Sequence, residues 1–295
     1  MFLFADVCLV LYLLMVLLLV AFLVLLERKV LGVLQIRKGP NIVGVNGLMQ
    51  TVMDGVKLLM KKYFMGVFNV FFLVAPLLGF VLSLMQWGVM SIPGSYVWSE
   101  YTVVITFVLS GLGVFIIMWC GWGSSNSYGF IGSIRGVAQM ISYEVVFFFF
   151  VMIFMIGIGV YSWGEMLDKK VMGVMVMNVM LFFMWLVLIL SELNRAPFDL
   201  VEGESELVSG FNVEYSGVGF TLLFLAEYMN IWFLCLISSV VFLNTVVHVV
   251  LGGVFLTLVV VLVRGLLPRY KFNQLIDLMW KVFLPITMLL LVISV

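Results

Sequence analysis

Apolar side chains run along this chain in stretches of about 20 residues, the length an α-helix needs to cross a hydrocarbon core of about 30 Å. Eight stretches stand out, at roughly Phe2–Leu26, Val67–Met90, Tyr101–Gly121, Met140–Val160, Val174–Leu193, Val218–Leu243, Val246–Val263 and Leu275–Val295. A ninth element has a different period. After the helix-breaking pair Gly39-Pro40, the residues Val45, Leu48, Met49, Val52, Met53, Val56, Leu59 and Met60 recur at three- and four-residue steps. Asn46, Gln50, Asp54, Lys57 and Lys61 fill the opposite face. This predicts an amphipathic helix of about 17 residues, too polar to span and suited to the membrane interface. Periodicity alone favours a lipid-surface anchor; a second reading makes the helix one wall of an entrance for an amphiphilic ligand. The first stretch has no basic leading region and no small-residue cleavage site, and it ends in Glu27-Arg28-Lys29, so it reads as a retained helix rather than a signal peptide. The expected architecture is all-α. It is a polytopic membrane protein with about eight transmembrane helices plus one interfacial amphipathic helix, forming a single transmembrane domain over 1–295 without internal repeats.

Composition agrees. Of 295 residues, 65% are hydrophobic and 10% charged, against about 25% charged in soluble domains. The cations are unevenly placed. Loops 27–66, 122–139, 194–217 and 264–274 lie on one side and, with their flanks, carry twelve of the fifteen Lys and Arg residues; the other side has Lys169 and Lys170. The positive-inside rule makes the first side the inner one and turns both termini outward. Gly121 to Gly136, rich in Gly and Ser without apolar period, reads as a flexible inner loop. Ser91–Ser99 and Tyr161–Gly173 read as simple outer connectors. The segment RGLLPRYKFNQ, from Arg264, suits an anionic headgroup or a partner interface equally. Cys8, Cys120 and Cys235 are far apart and read as packing residues, and the lone His248 as packed or lipid-facing. Phe (27), Gly (27) and Met (21) are abundant while Pro is scarce (6), a bias expected of a strand-biased organellar genome.

The polar segment that stands out is SELNRAPFDLVEGESELVSGFNVEYSG, Ser191 to Gly217. It holds Glu192, Asp199, Glu202, Glu204, Glu206 and Glu214 against the single cation Arg195. Glu192 and Arg195, three apart, can pair at a helix end, and Ala196-Pro197 stops that helix. Crowded carboxylates cannot all ionise at ordinary cost, so their protons come off as a coupled set. Glu144 sits about one turn inside the fourth stretch, and Glu227 lies in the middle of the sixth with no basic residue near it in sequence. Acids at membrane depth are functional hypotheses by default, and chains of them are the usual material of proton relays. No GxGxxG follows a strand, and there is no P-loop, no CxxC and no pair of haem-ligating histidines. The chain therefore carries no redox cofactor of its own. Composition and spacing alone reach a proton-handling membrane subunit.

Four stretches carry a resemblance further. ERKVLGVLQIRKGPN (from Glu27) with DGVKL (from Asp54), the acidic segment above, LAEYMNI (from Leu225) and LPRYKFNQL (from Leu267) occur in the order seen in the NADH dehydrogenase subunit 1 family, which the chain resembles over nearly its whole length. The resemblance implies a mitochondrially encoded membrane subunit of respiratory complex I in the inner membrane, with other complex I subunits and membrane lipids as partners and no nucleic acid. It implies ubiquinone as substrate, with FMN and iron–sulfur clusters held by partner subunits. It places Glu27, Arg28, Arg37, Asp54, Arg195, Phe198 and Phe224 on a quinone tunnel. It assigns Glu144, Glu192, Asp199, Glu202, Glu204, Glu206, Glu214 and Glu227 to proton coupling, and Arg264 and Arg269 to holding the soluble arm or lipid. The chain departs from the family pattern at Val45, Asn46 and Thr51 and at Lys61-Lys62-Tyr63, beside the tunnel mouth. Two rivals come from other classes. A stand-alone cation/proton transporter would carry paired repeats with broken helices, of which only one polar-interrupted half is visible. An anchor subunit of a hydrogenase-type complex would tolerate loss of Glu144 and Glu227.

Overall fold

The computed structural model describes residues 2–61, 70–90, 100–169, 179–199, 214–243 and 245–294. They form helices throughout: α1 (Phe2–Leu34), α2 (Gln50–Leu59), α3 (Val70–Val89), α4 (Thr102–Gly123), α5 (Ser127–Ile158), α6 (Trp163–Lys169), α7 (Val179–Glu192), α8 (Gly217–Phe242), α9 (Val246–Leu266) and α10 (Phe272–Ser294), the last with a π-helical stretch at Leu278–Phe283. No strand occurs among the described residues, and seven helices there are long and apolar enough to cross a membrane. The fifth expected span appears as the 14-residue α7; its expected start at Val174 lies outside the described residues. The all-α polytopic reading therefore holds.

The bundle is built around α8. It packs on α1, α2, α3, α6, α7 and α9, and 67% of its most apolar window is buried, against 17–44% for the other six spans. It also has the lowest mean hydropathy of the seven. Burial inside protein lets this helix carry Glu227 and Asn230, which would be costly facing lipid, while the Thr221, Ser238 and Ser239 hydroxyls bond carbonyls of the helix itself. The peripheral helices show the reverse pattern. Val10, Leu14, Leu18 and Phe22 form an exposed apolar stripe on α1 at helical spacing, the surface expected against lipid.

Three expectations are corrected here. Gly121–Gly136 is not a flexible loop: α4 ends at Gly123, α5 begins at Ser127, and the Asn126 side chain accepts the Tyr128 N–H at 3.2 Å as an N-cap. The small residues bring the helices together instead. A Cβ on Gly121 would lie 2.0 Å from Ser133 Oγ of α5, and one on Gly123 would lie 2.8 Å from the Phe72 nitrogen of α3. Tyr161–Gly173 is more than a connector, because α6 docks there with Trp163 and Met166 fully buried. The amphipathic helix is shorter than its sequence period. Gly44, Asn46 and Gly47 take positive φ values (72°, 53° and 77°), and a Cβ on Gly47 would meet the Pro40 carbonyl oxygen at 2.2 Å. Left-handed residues and that close approach break the first turns, so α2 keeps only Gln50–Leu59. Of its polar face, Gln50 and Asp54 are half-buried, with Asp54 bound to Arg28 (2.6 Å) and Gln50 (3.0 Å), while Lys57 is exposed along with Val52, Met53, Val56, Leu59 and Met60. Cys120 and Cys235 are buried free thiols, as packing residues should be; Cys8 has no described side chain. His248 is exposed at the start of α9, where Thr245 caps its backbone N–H at 3.3 Å.

Candidate functional site: a buried charge string between two cavities

The site begins with Glu27. Helix α1 does not end at the charged triplet but continues through it to Leu34, which carries Glu27 into the bundle with 6% of its surface accessible. A carboxylate so placed needs opposite charge and hydrogen bonds, and three elements supply them. The Tyr228 hydroxyl of α8 donates to Oε2. Arg264, in the last turn of α9, pairs with Oε1. Arg195, just beyond α7, brings Nη1 to 3.7 Å. The Arg195 guanidinium also lies 4.6 Å from the centre of the Tyr228 ring, a cation–π contact, and its Nη2 stands 3.9 Å from Glu227 Oε2. Arg264, Glu27, Arg195 and Glu227 thus form a string of alternating charge assembled from α9, α1, the segment after α7, and α8.

The string separates two cavities. One, of about 370 Å³, is lined by Glu27, Arg28, Gln35, Phe224, Tyr228 and Arg264. It is open and flanked by aromatic rings, since Phe224 packs on Tyr228 at 4.5 Å and on Phe220 at 5.9 Å. The other, of about 140 Å³, lies between α3, α4, α5, the end of α7, and α8. Arg195, Glu227 and Glu192 all line it. So do Gln86, Asn194 and Asn230; Gln86 Oε1, Glu192 Oε2, Asn194 Oδ1 and Asn230 Oδ1 are buried oxygens without a hydrogen-bond partner among the described residues. Buried polar atoms are nearly always paired. Gln86, Ser110, Glu192, Asn194, Glu227 and Asn230 around a cavity large enough for several waters make this a polar-lined chamber rather than a dry packing void. Glu144, near the middle of the 32-residue α5, accepts a hydrogen bond from Ser110 at 3.1 Å, and Ser110 lines the same chamber.

The structure sorts the residues singled out from the sequence. Glu27, Arg28 and Phe224 share the first cavity, Asp54 ties Arg28 beside it, and Arg195 joins it to the second. Arg37 is exposed and bonds Gln35 at 2.8 Å. Phe198 is buried against Tyr270, with ring centres 5.4 Å apart, and lines neither cavity. Glu192 and Glu227 share the chamber, with Glu144 at its margin. Asp199 pairs with Arg269 at 3.3 Å, and the exposed Glu214 accepts from Asn126 at 3.2 Å. Glu202, Glu204 and Glu206 lie outside the described residues. The expected Glu192–Arg195 pair does not form. Asn194 takes a φ of 49°, the chain leaves helical geometry, and Arg195 turns to Glu27 and Glu227 instead. Glu227, isolated in sequence, consequently faces a cation in space. Arg264 and Arg269, expected to hold a soluble arm or lipid, pair with carboxylates of this chain. Tyr228, Gln86 and Asn230 were not singled out. Tyr228 and Asn230 sit beside Glu227 in LAEYMNI, and their polarity inside an apolar run was the available signal. Among the described residues no three His, Cys, Asp or Glu side chains converge as a metal site.

Comparison with known proteins bears on the whole chain. A family model described as NADH dehydrogenase matches residues 7–295. The chain is 41% identical over 295 residues to NADH-ubiquinone oxidoreductase chain 1 of Osphranter rufus, covering 96% of this chain and 93% of that protein. It is 43% identical to the protein of the same name from Salmo salar over 294 residues (95% and 90%), and 43% identical to that from Aedes aegypti over 277 residues (91% and 88%).

Proposed function

The chain belongs to the NADH dehydrogenase family, and from that premise we propose that it is the quinone-site membrane subunit of a proton-pumping NADH:ubiquinone oxidoreductase in the mitochondrial inner membrane. The ubiquinone headgroup enters the cavity between Phe224 and Glu27, with Arg28 and Asp54 at its rim. Electrons reach it from FMN and iron–sulfur clusters of partner subunits; this chain supplies binding, orientation and charge.

The observation that carries the reading is the position of Arg195, at nearly equal distances from Glu27 (3.7 Å) and Glu227 (3.9 Å). Reduction of a quinone to a quinol draws protons and changes the charge next to Glu27. A cation shared between two carboxylates responds by moving toward the more negative one, which transfers the change to Glu227 and the polar chamber. Glu192 and Glu144 continue the path from there toward neighbouring membrane subunits. The same coupling role extends to the acids Asp199, Glu202, Glu204, Glu206 and Glu214.

Glu227→Gln and Glu192→Gln test this in the assembled complex, with NADH:ubiquinone reductase rate and proton pumping measured in sealed membranes. Both quantities are expected to fall together, about a hundredfold, the lower end of the scale for losing one positioned proton-transfer group. Normal rates and normal pumping in both variants would leave this chain as a membrane anchor.

A further inference from the structure

The turn that carries Arg195 is tied to the rest of the bundle at both ends. Between Ser191 and Phe198 the local bonds are short-range, Asn194 N–H to Ser191 C=O (3.3 Å) and Phe198 N–H to Arg195 C=O (2.8 Å). Neither fixes the turn against the bundle. Gln139 of α5 does. Its Nε2 donates to the Ser191 carbonyl at 3.3 Å and to the Phe198 carbonyl at 2.9 Å. One amide nitrogen with two N–H groups thereby ties both ends of the turn to one point on α5. On the far side, the Tyr270 N–H donates to the Pro197 carbonyl at 2.9 Å.

Gln139 is fully buried, and its Oε1 has no hydrogen-bond partner among the described residues. An apolar side chain of the same size would fill the space without dehydrating an amide. The residue's worth therefore lies in its two donated bonds, not in packing. We propose that Gln139 is a positioning residue: by clamping Ser191 and Phe198 together it sets Arg195 between Glu27 and Glu227. This rests on the coupling role given to Arg195 above.

The test is a double-mutant cycle in the assembled complex. Gln139→Met keeps the volume and removes both donors. Gln139→Glu keeps the shape and sets a carboxyl group against two carbonyl oxygens, and either variant that assembles suffices. Each is expected to lower kcat for quinone reduction about tenfold or more, as a displaced positioning group does, with KM for NADH unchanged. In an Arg195→Met background the same Gln139 change should cause no further loss, because residues that act through one another are not additive. A packing role would give losses that multiply, and that result overturns the inference, as does a wild-type rate in Gln139→Met beside an impaired Arg195→Met. A normal Arg195→Met enzyme overturns the coupling reading itself, and the inference with it.

Discussion

Arg195→Met is the perturbation whose size follows most directly from the geometry. Methionine keeps much of the stem and removes the guanidinium from a site where only 11% of the side chain is accessible. Among the described residues two ion pairs go, at 3.7 and 3.9 Å, together with the contact 4.6 Å over the Tyr228 ring. At an effective dielectric constant of about 20, each pair is worth roughly 4 kcal/mol before dehydration, and the ring contact about 1 kcal/mol. Dehydration offsets most of that attraction when the cluster forms. It gives nothing back when one member is deleted, and a buried charge left short of its partner costs about 3–5 kcal/mol. Arg264 and Tyr228 still hold Glu27, so the lower end applies, about 3 kcal/mol. Expressed in the barrier, that is roughly a hundredfold fall in quinone reduction. Arg195→Lys keeps the charge but loses the fork that reaches two carboxylates at once, and should fall in between. The assay is NADH:ubiquinone reductase activity, normalised to the amount of assembled complex and run beside NADH oxidation by a soluble acceptor. An Arg195→Met enzyme that assembles and turns over at close to the wild-type rate would refute the reasoning.

Two further predictions test the frame around the site. Gly121→Ala puts a methyl group 2.0 Å from Ser133 Oγ and 2.9 Å from the Gly129 carbonyl oxygen, so α4 and α5 must part at a cost of about 2–3 kcal/mol. Assembled complex should be scarcer and inactivate faster on heating, and Ser133→Gly should restore part of the loss; a single variant as stable as wild type would contradict the close approach. Arg269→Ala removes the pair with Asp199, but 44% of the Arg269 side chain is accessible, so the loss is at most about 1 kcal/mol, less than about tenfold in the same reductase assay. A fall as deep as that of Arg195→Met would show that accessibility does not set the rank of these ion pairs.

The membrane class and most of the spans were legible because each follows from a local quantity, the length and polarity of one apolar run. The acids that matter could also be found by eye, since a carboxylate within such a run has no ordinary reason to be there. Their partners could not. Arg195 lies close to Glu192 in sequence, and helical spacing allows the two to pair. One left-handed residue, Asn194, cancels that spacing and hands the guanidinium to Glu27 and Glu227. Arg264 carries no sign that it meets Glu27, far away in the chain. The misread loop has the same origin. Glycine and serine mark turns where water can reach the backbone, but between membrane helices they mark close approach, and only the neighbouring helix tells the two apart.

By itself, then, the sequence determined what each segment must do with its own surface: where it meets lipid, where it is wetted, and where a charge sits against the grain of its surroundings. The tertiary structure alone decided which charges share a carboxylate, which polar residues line one chamber, and that both arrangements meet on α8. Hydropathy sums over neighbours along the chain, whereas electrostatic pairing falls off with distance in space. Only the packed bundle brings α1, α8, α9 and the turn after α7 within a few ångströms of one another.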